Sequence, residues 1–75
     1  MDLLTPDFLA QVVRDELART ELSAREIERR SGIPRNTLER RLNSGELTLG
    51  NLIAVARLLG LRLSALVRLA EQRAA

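Results

Sequence analysis

The chain has no histidine, cysteine, tryptophan, tyrosine or lysine. These absences remove the thiolate nucleophile, the imidazole base and the usual nitrogen and sulfur ligands of zinc. Carboxylate pairs remain possible, but the seven Glu and three Asp are scattered along the chain and are more typical of solvated helix surfaces. We therefore expect no enzyme activity, no small-molecule substrate, and no metal or cofactor.

Long apolar stretches are also missing. A run such as Leu52–Ala56 falls far short of the roughly 20 residues that span a bilayer. The first four residues lack the basic start and apolar region of a secretory signal, and without cysteine there is no disulfide framework. We expect a soluble cytoplasmic protein that does not bind membranes.

The chain length and its charge distribution limit the possibilities further. With 75 residues and 45% hydrophobic content, residues 1–75 are expected to form a single domain around one core. Six Arg against three Glu give residues 23–45 a charge of +3, whereas two Arg against five acids give residues 1–22 a charge of −3. Arg suits phosphate and guanine edges, although a bias toward Arg codons explains the lack of lysine equally well.

Apolar periodicity and the residues that start or stop helices predict five helices. No segment alternates with period two, so no sheet is expected and the fold class is all-α. The predicted helices run from Pro6 to about Arg19, from Ser23 to about Arg30, from Pro34 to about Leu42, from Thr48 to Gly60, and from Leu63 to about Gln72. Thr5 and Thr48 are expected to cap the first and fourth helices. The segment Asn43-Ser44-Gly45 is expected to break the third helix.

One hydrophobic core should hold these helices together. The fourth helix is expected to be the most buried, because its apolar residues cover most of its circumference. The residues predicted to form the core are Phe8, Val12, Leu17, Ile27, Ile33, Leu38, Leu52, Ile53, Val55, Ala56, Leu59 and Leu66.

The centre of the chain has the pattern of a helix-turn-helix. Ser23-Ala24-Arg25-Glu26 matches a capping box, which starts a short helix. In the following Ser31–Pro34 segment, Gly32 accepts positive φ, and Pro34 suits the first position of the next helix. Two short helices joined by such a turn can place the second one in the major groove of DNA.

Residues 22–67 resemble the lambda-repressor-like, Cro-type family of helix-turn-helix DNA-binding domains, with the helix-turn-helix at 23–42. The resemblance implies a five-helix fold and sequence-specific transcriptional regulation, as in a phage Cro protein or a phage or bacterial repressor. It also implies that Gly32 makes the turn. The matching positions that should clamp the two helices together are Ile27, Ile33 and Leu38.

Three positions depart from the pattern of that family. The position of Glu28 usually holds a small Ala at the helix crossing, and the position of Arg41 is usually apolar. Ala24 stands where a Gln often binds a phosphate. Leu42 can supply the apolar contact missing at Arg41, and Arg25 can supply the phosphate contact missing at Ala24.

The third helix should present its polar face to DNA. A projection at 100° per residue turns Leu38 inward and Asn36 and Arg40 outward. A solvated face would also be polar, but Arg and Asn bind guanine and adenine edges bidentately. The residues expected to read bases are Arg35, Asn36 and Arg40. Those expected to hold the DNA backbone are Arg25, Thr37, Arg41, Asn43 and Ser44.

One short recognition helix reads too few base pairs for useful specificity, so we expect a homodimer on double-stranded DNA. Burial of the apolar residues of the fifth helix in the core is the alternative to a role in this dimer. A protein-interaction module, such as an antirepressor or toxin-neutralising partner on the same fold, is the alternative function. The residues expected to form the dimer contact are Leu63, Leu66, Val67, Leu69 and Ala70.

Overall fold

The computed structural model describes residues 4–75, which form five α-helices and no strand. This confirms the all-α prediction. The expectation that no secretory signal is present depends partly on residues 1–3, which lie outside the described part. The helices are α1 Pro6–Arg19, α2 Ala24–Ser31, α3 Arg35–Ser44, α4 Leu49–Leu58 and α5 Leu63–Ala74.

Three of the helices begin at a hydroxyl side chain. Thr5, Ser23 and Thr48 each accept a hydrogen bond of 3.0–3.1 Å from the backbone N–H three residues further on. Thr48 has the full capping box, because its own backbone N–H donates to the side-chain oxygen of Asn51. The predicted box at Ser23 is half formed within the described residues, because the Glu26 carboxylate binds two Arg side chains instead.

The predicted bounds of α3 were one or two residues too early at both ends. Pro34 precedes the helix rather than opening it, and Asn43 and Ser44 continue it rather than breaking it. The helix ends at Gly45, whose φ of 76° is left-handed, a region that glycine adopts without steric cost. A Cβ at Gly45 would also collide with the Asp7 carboxylate, so the start of α1 lies against the end of α3.

The helices pack around one core. α1 packs against α3 and α5, α2 packs against α3 and α4, and α4 packs against α5. Four residues predicted for the core are half-buried instead. Three of them pack against the buried cluster, namely Ile27, Leu52 and Leu59, and the fourth is Phe8. The buried core cluster consists of Val13, Leu17, Ile33, Leu38, Leu42, Val55, Ala56 and Leu66.

The prediction that Ile53 belongs to the core was wrong. Its exposed fraction is 42%, and Leu49, one turn earlier on α4, is 64% exposed. At 100° per residue these two side chains share a face with Arg57, while Val55 and Ala56 lie toward the core. α4 is therefore buried on one face and has an apolar exposed face, although its sequence is apolar nearly all round.

Candidate nucleic-acid interface

The turn between α2 and α3 is fixed by short-range hydrogen bonds. Gly32 is left-handed with φ 73°, and its N–H donates to the Glu28 carbonyl over 2.9 Å. The Ser31 hydroxyl accepts the Ile33 N–H over 3.1 Å, and Ile33 itself is buried in the core. The turn therefore anchors to the core through one residue and sets the start of α3.

α3 has an inner and an outer face, as its sequence predicts. Leu38 and Leu42 are buried, whereas Asn36 and Arg40 are exposed. Thr37 and Arg41, which the projection places on the flank, are half-buried. The buried leucines fix the rotation of α3 about its axis, so Asn36 and Arg40 project away from the domain.

Three cations of this region are exposed and uncompensated. Arg25, Arg35 and Arg40 are exposed and form no ion pair with any residue from 4 to 75. They lie on α2 and α3, the two helices of the helix-turn-helix. Their guanidinium groups are thus available to an anionic partner.

Two other cations of α2 share a single carboxylate. Arg29 and Arg30 both bind the Glu26 carboxylate, with a distance of 2.7 Å from Arg30 Nε to Glu26 Oε1. Hydrogen bonds from Arg29 and then Arg30 lower the pKa of Glu26 to about 2, and the same carboxylate raises the pKa of Arg29. One carboxylate offsets only one of these two guanidinium groups, so α2 keeps positive charge at the Arg29–Arg30 pair as well as at Arg25.

The far end of α3 is connected to α1 by a residue that sequence reasoning missed. Arg14 Nη2 donates to Asn43 Oδ1 over 2.7 Å, and Arg14 Nη1 lies 3.3 Å from Glu39 Oε1. The side-chain oxygen of Asn43 thus accepts a bond from within the molecule, and its side-chain NH₂ group remains as a donor. No local pattern predicts a contact between residues 29 positions apart.

Arg41 connects the end of α3 to the start of α4. Its Nη1 donates to Asn51 Oδ1 over 2.8 Å, and the same oxygen accepts the Thr48 N–H over 3.0 Å. Asn51 is only 8% exposed and is a buried polar residue that the sequence did not indicate. Arg41 therefore has a buried polar partner.

Ser44, the last of the expected backbone-binding residues, lies at the end of α3 with its hydroxyl engaged locally. It donates to the Arg41 carbonyl over 3.4 Å and accepts the Glu46 N–H over 3.3 Å. Among the five residues expected to hold the DNA backbone, Arg25 has a free guanidinium, Thr37 lies on the flank, and Arg41, Asn43 and Ser44 have internal partners.

The surface available for a dimer contact on α5 is narrower than expected. Leu66 and Ala70 have an exposed fraction of 0% within the single chain, so they belong to the core. Leu63, Val67 and Leu69 are half-buried and reach the surface. Core burial therefore accounts for Leu66 and Ala70, and a dimer role stays a prediction for Leu63, Val67 and Leu69.

Within residues 4–75 there is no group of three or more acidic, His or Cys side chains arranged to hold a metal ion. No helix there is long and apolar enough to cross a bilayer. Comparison with protein families, with curated proteins and with solved structures finds no match to this chain.

Proposed function

We propose that this protein is a sequence-specific DNA-binding transcriptional regulator of the lambda-repressor-like, Cro-type kind, and that α3 enters the major groove. The observation that carries the proposal is the division of α3 into a buried face and an exposed face. Leu38 and Leu42 hold the helix to the core, while Asn36 and Arg40 project outward one turn apart. Such a helix presents its polar side chains to the groove floor.

Arg35, Asn36 and Arg40 read base edges. Arg makes bidentate bonds to guanine and Asn makes them to adenine, so side chains of these two types on one face discriminate between base pairs. Arg35 projects from the start of α3, where a recognition helix enters the groove. The absence of ion-pair partners for Arg35 and Arg40 within residues 4–75 supports these roles.

The DNA backbone is held from the flanks and ends of the two helices, where side chains approach phosphates. Arg25 offers its whole guanidinium group. Asn43 and Arg41 contribute the donors that their bonds to Arg14 and Asn51 leave unused. The complete set of backbone-binding residues is Arg25, Thr37, Arg41, Asn43 and Ser44.

The regulator acts in the cytoplasm as a homodimer on double-stranded DNA, since a single short helix reads too few base pairs. Leu63, Val67 and Leu69 are the apolar residues of α5 that remain for the contact. Sedimentation with and without selected DNA tests this part of the proposal. A single protomer on a fully protected site would contradict it.

Electrophoretic mobility with random DNA at low and moderate salt tests the proposal as a whole. Binding should occur at low salt and should weaken steeply as salt rises, because phosphate neutralisation releases counterions. Selection from a random DNA library should then yield one preferred sequence. No binding at low salt would overturn the proposal in favour of a protein-interaction module on the same fold.

A further inference from the structure

The start of α3 is capped in an unusual way. Pro34 makes no side-chain cap, and instead Glu28 Oε1, from α2, accepts the backbone N–H of Arg35 over 2.9 Å. By contrast, α1, α2 and α4 each start at a hydroxyl from the residue just before the helix. The first amide of α3 is therefore satisfied by a full negative charge that another helix supplies.

Glu28 lies at a place in the fold that attracts anions. Free amides and the positive end of the dipole make a helix N-terminus favourable for phosphate. Glu28 is exposed, and it lines one surface depression together with Arg25, Arg29 and Arg35. Its carboxylate thus lies among cations and against a helix start, both of which attract phosphate.

We propose that Glu28 weakens the attraction of this surface for DNA phosphates whatever the sequence, so that stable binding depends more on base contacts. This inference rests on the proposed DNA-binding function. The carboxylate keeps the helix amide occupied and places a like charge near the DNA backbone, while Asn36 and Arg40 continue to read bases. Affinity for DNA of any sequence falls by a similar factor, and the base contacts become a larger share of what holds the complex together.

The hydrogen bond and the charge of Glu28 can be separated by substitution. Glu28→Gln retains a side-chain oxygen that can accept the Arg35 N–H but removes the charge. Removing one negative charge near phosphates should raise affinity for random DNA by about threefold to tenfold at low salt. Glu71→Gln makes the same change in net charge on α5, a helix that packs against α1 and α4, and is the matched control.

The experiment measures the affinity of the wild type and both variants for selected DNA and for a scrambled sequence, each at two salt concentrations. Glu28→Gln should bind scrambled DNA more tightly than Glu71→Gln does, with a steeper salt dependence, and it should gain a similar factor on selected DNA. Thermal melts should show that Glu28→Gln remains folded. Glu28→Ala, which also removes the cap, should melt at a lower temperature than Glu28→Gln.

Equal affinities for scrambled DNA in Glu28→Gln and Glu71→Gln would overturn the role of Glu28 while leaving the proposed function intact. Weaker binding of Glu28→Gln to both DNAs would overturn that role as well, because the carboxylate would then be a structural cap alone. Failure of the wild type to bind any DNA at low salt would overturn both proposals.

Discussion

α3 and α4 are both ten residues long and both bury one face, but their exposed faces differ in chemistry. The outer face of α3 carries Asn36 and Arg40, whereas that of α4 carries Leu49 and Ile53. Exposure alone therefore does not make a helix face polar in this protein. The polar outer face of α3 is therefore a property of that helix's own sequence, and its role in binding stays a prediction.

The largest expected effect is on the free energy of unfolding, and it is tested by truncating one apolar side chain from each helix. Leu38→Ala should lower the free energy of unfolding by about 2 to 5 kcal/mol, because it leaves a cavity in the core. Ile53→Ala should change it by only about 0.5 kcal/mol, as for a surface position. Chemical denaturation followed by circular dichroism measures both. Equal losses in the two variants would contradict the exposed position of Ile53.

The next effect concerns the connection between the two helices. Asn51→Ala removes the acceptor of both Arg41 and the Thr48 N–H, so the unfolding free energy should fall by about 1 to 3 kcal/mol. Arg41→Ala removes one of those bonds only and should cost less. Denaturation of both variants measures the difference. A larger loss of unfolding free energy for Arg41→Ala would mean that packing of the aliphatic part of Arg41 contributes more than the hydrogen bonds to Asn51.

Arg40→Ala tests the reading face without touching the core. We expect a loss of about 1 to 3 kcal/mol of binding free energy against the preferred base pair, with base preference relaxed at that position. Arg68→Ala is the control, because Arg68 is an exposed Arg on α5. Competition binding with selected and scrambled DNA measures both variants. An equal loss for the two DNAs would make Arg40 a phosphate anchor.

The smallest effect concerns acid stability. The pKa of Glu26 is about 2 in the folded protein, against 4.5 ordinarily, so its stabilising contribution is present above pH 4.5 and disappears as pH falls toward 2. Glu26→Gln should therefore melt at a lower temperature than the wild type near neutral pH, with a smaller difference in strong acid. Because Glu26 and its Arg partners meet at the surface, the shift should be small. A pH-independent difference would contradict the assigned ion pairs.

Local rules predicted much of the fold and of the candidate site. Helices start after Thr5, Ser23 and Thr48, and each of these starts could be predicted because a hydroxyl cap depends on neighbouring residues alone. The inner and outer faces of α3 followed from the spacing of Leu38 and Leu42. These features require no knowledge of where the other helices lie.

The features that sequence reasoning missed depend on tertiary packing. Ile53 was placed in the core because an apolar helix gives no indication of which face remains uncovered. The bonds from Arg14 to Asn43 and from the Arg35 N–H to Glu28 join different helices, and spacing along the chain does not encode them. The sequence showed that Glu28 stands where the family that it resembles usually has a small Ala, but it did not show the hydrogen bond between Glu28 and the Arg35 N–H.

The bond between Arg14 and Asn43 has a consequence for any attempt to move α3 into another protein. α3 is held at its start by α2 and at its end by α1 and α4, so its orientation belongs to the whole domain. A graft of residues 23–45 onto another scaffold would carry the exposed Asn36 and Arg40 without Arg14 or Asn51 to orient α3. Keeping the orientation of α3 in a new scaffold therefore requires α1 and α4 as well as α2 and α3.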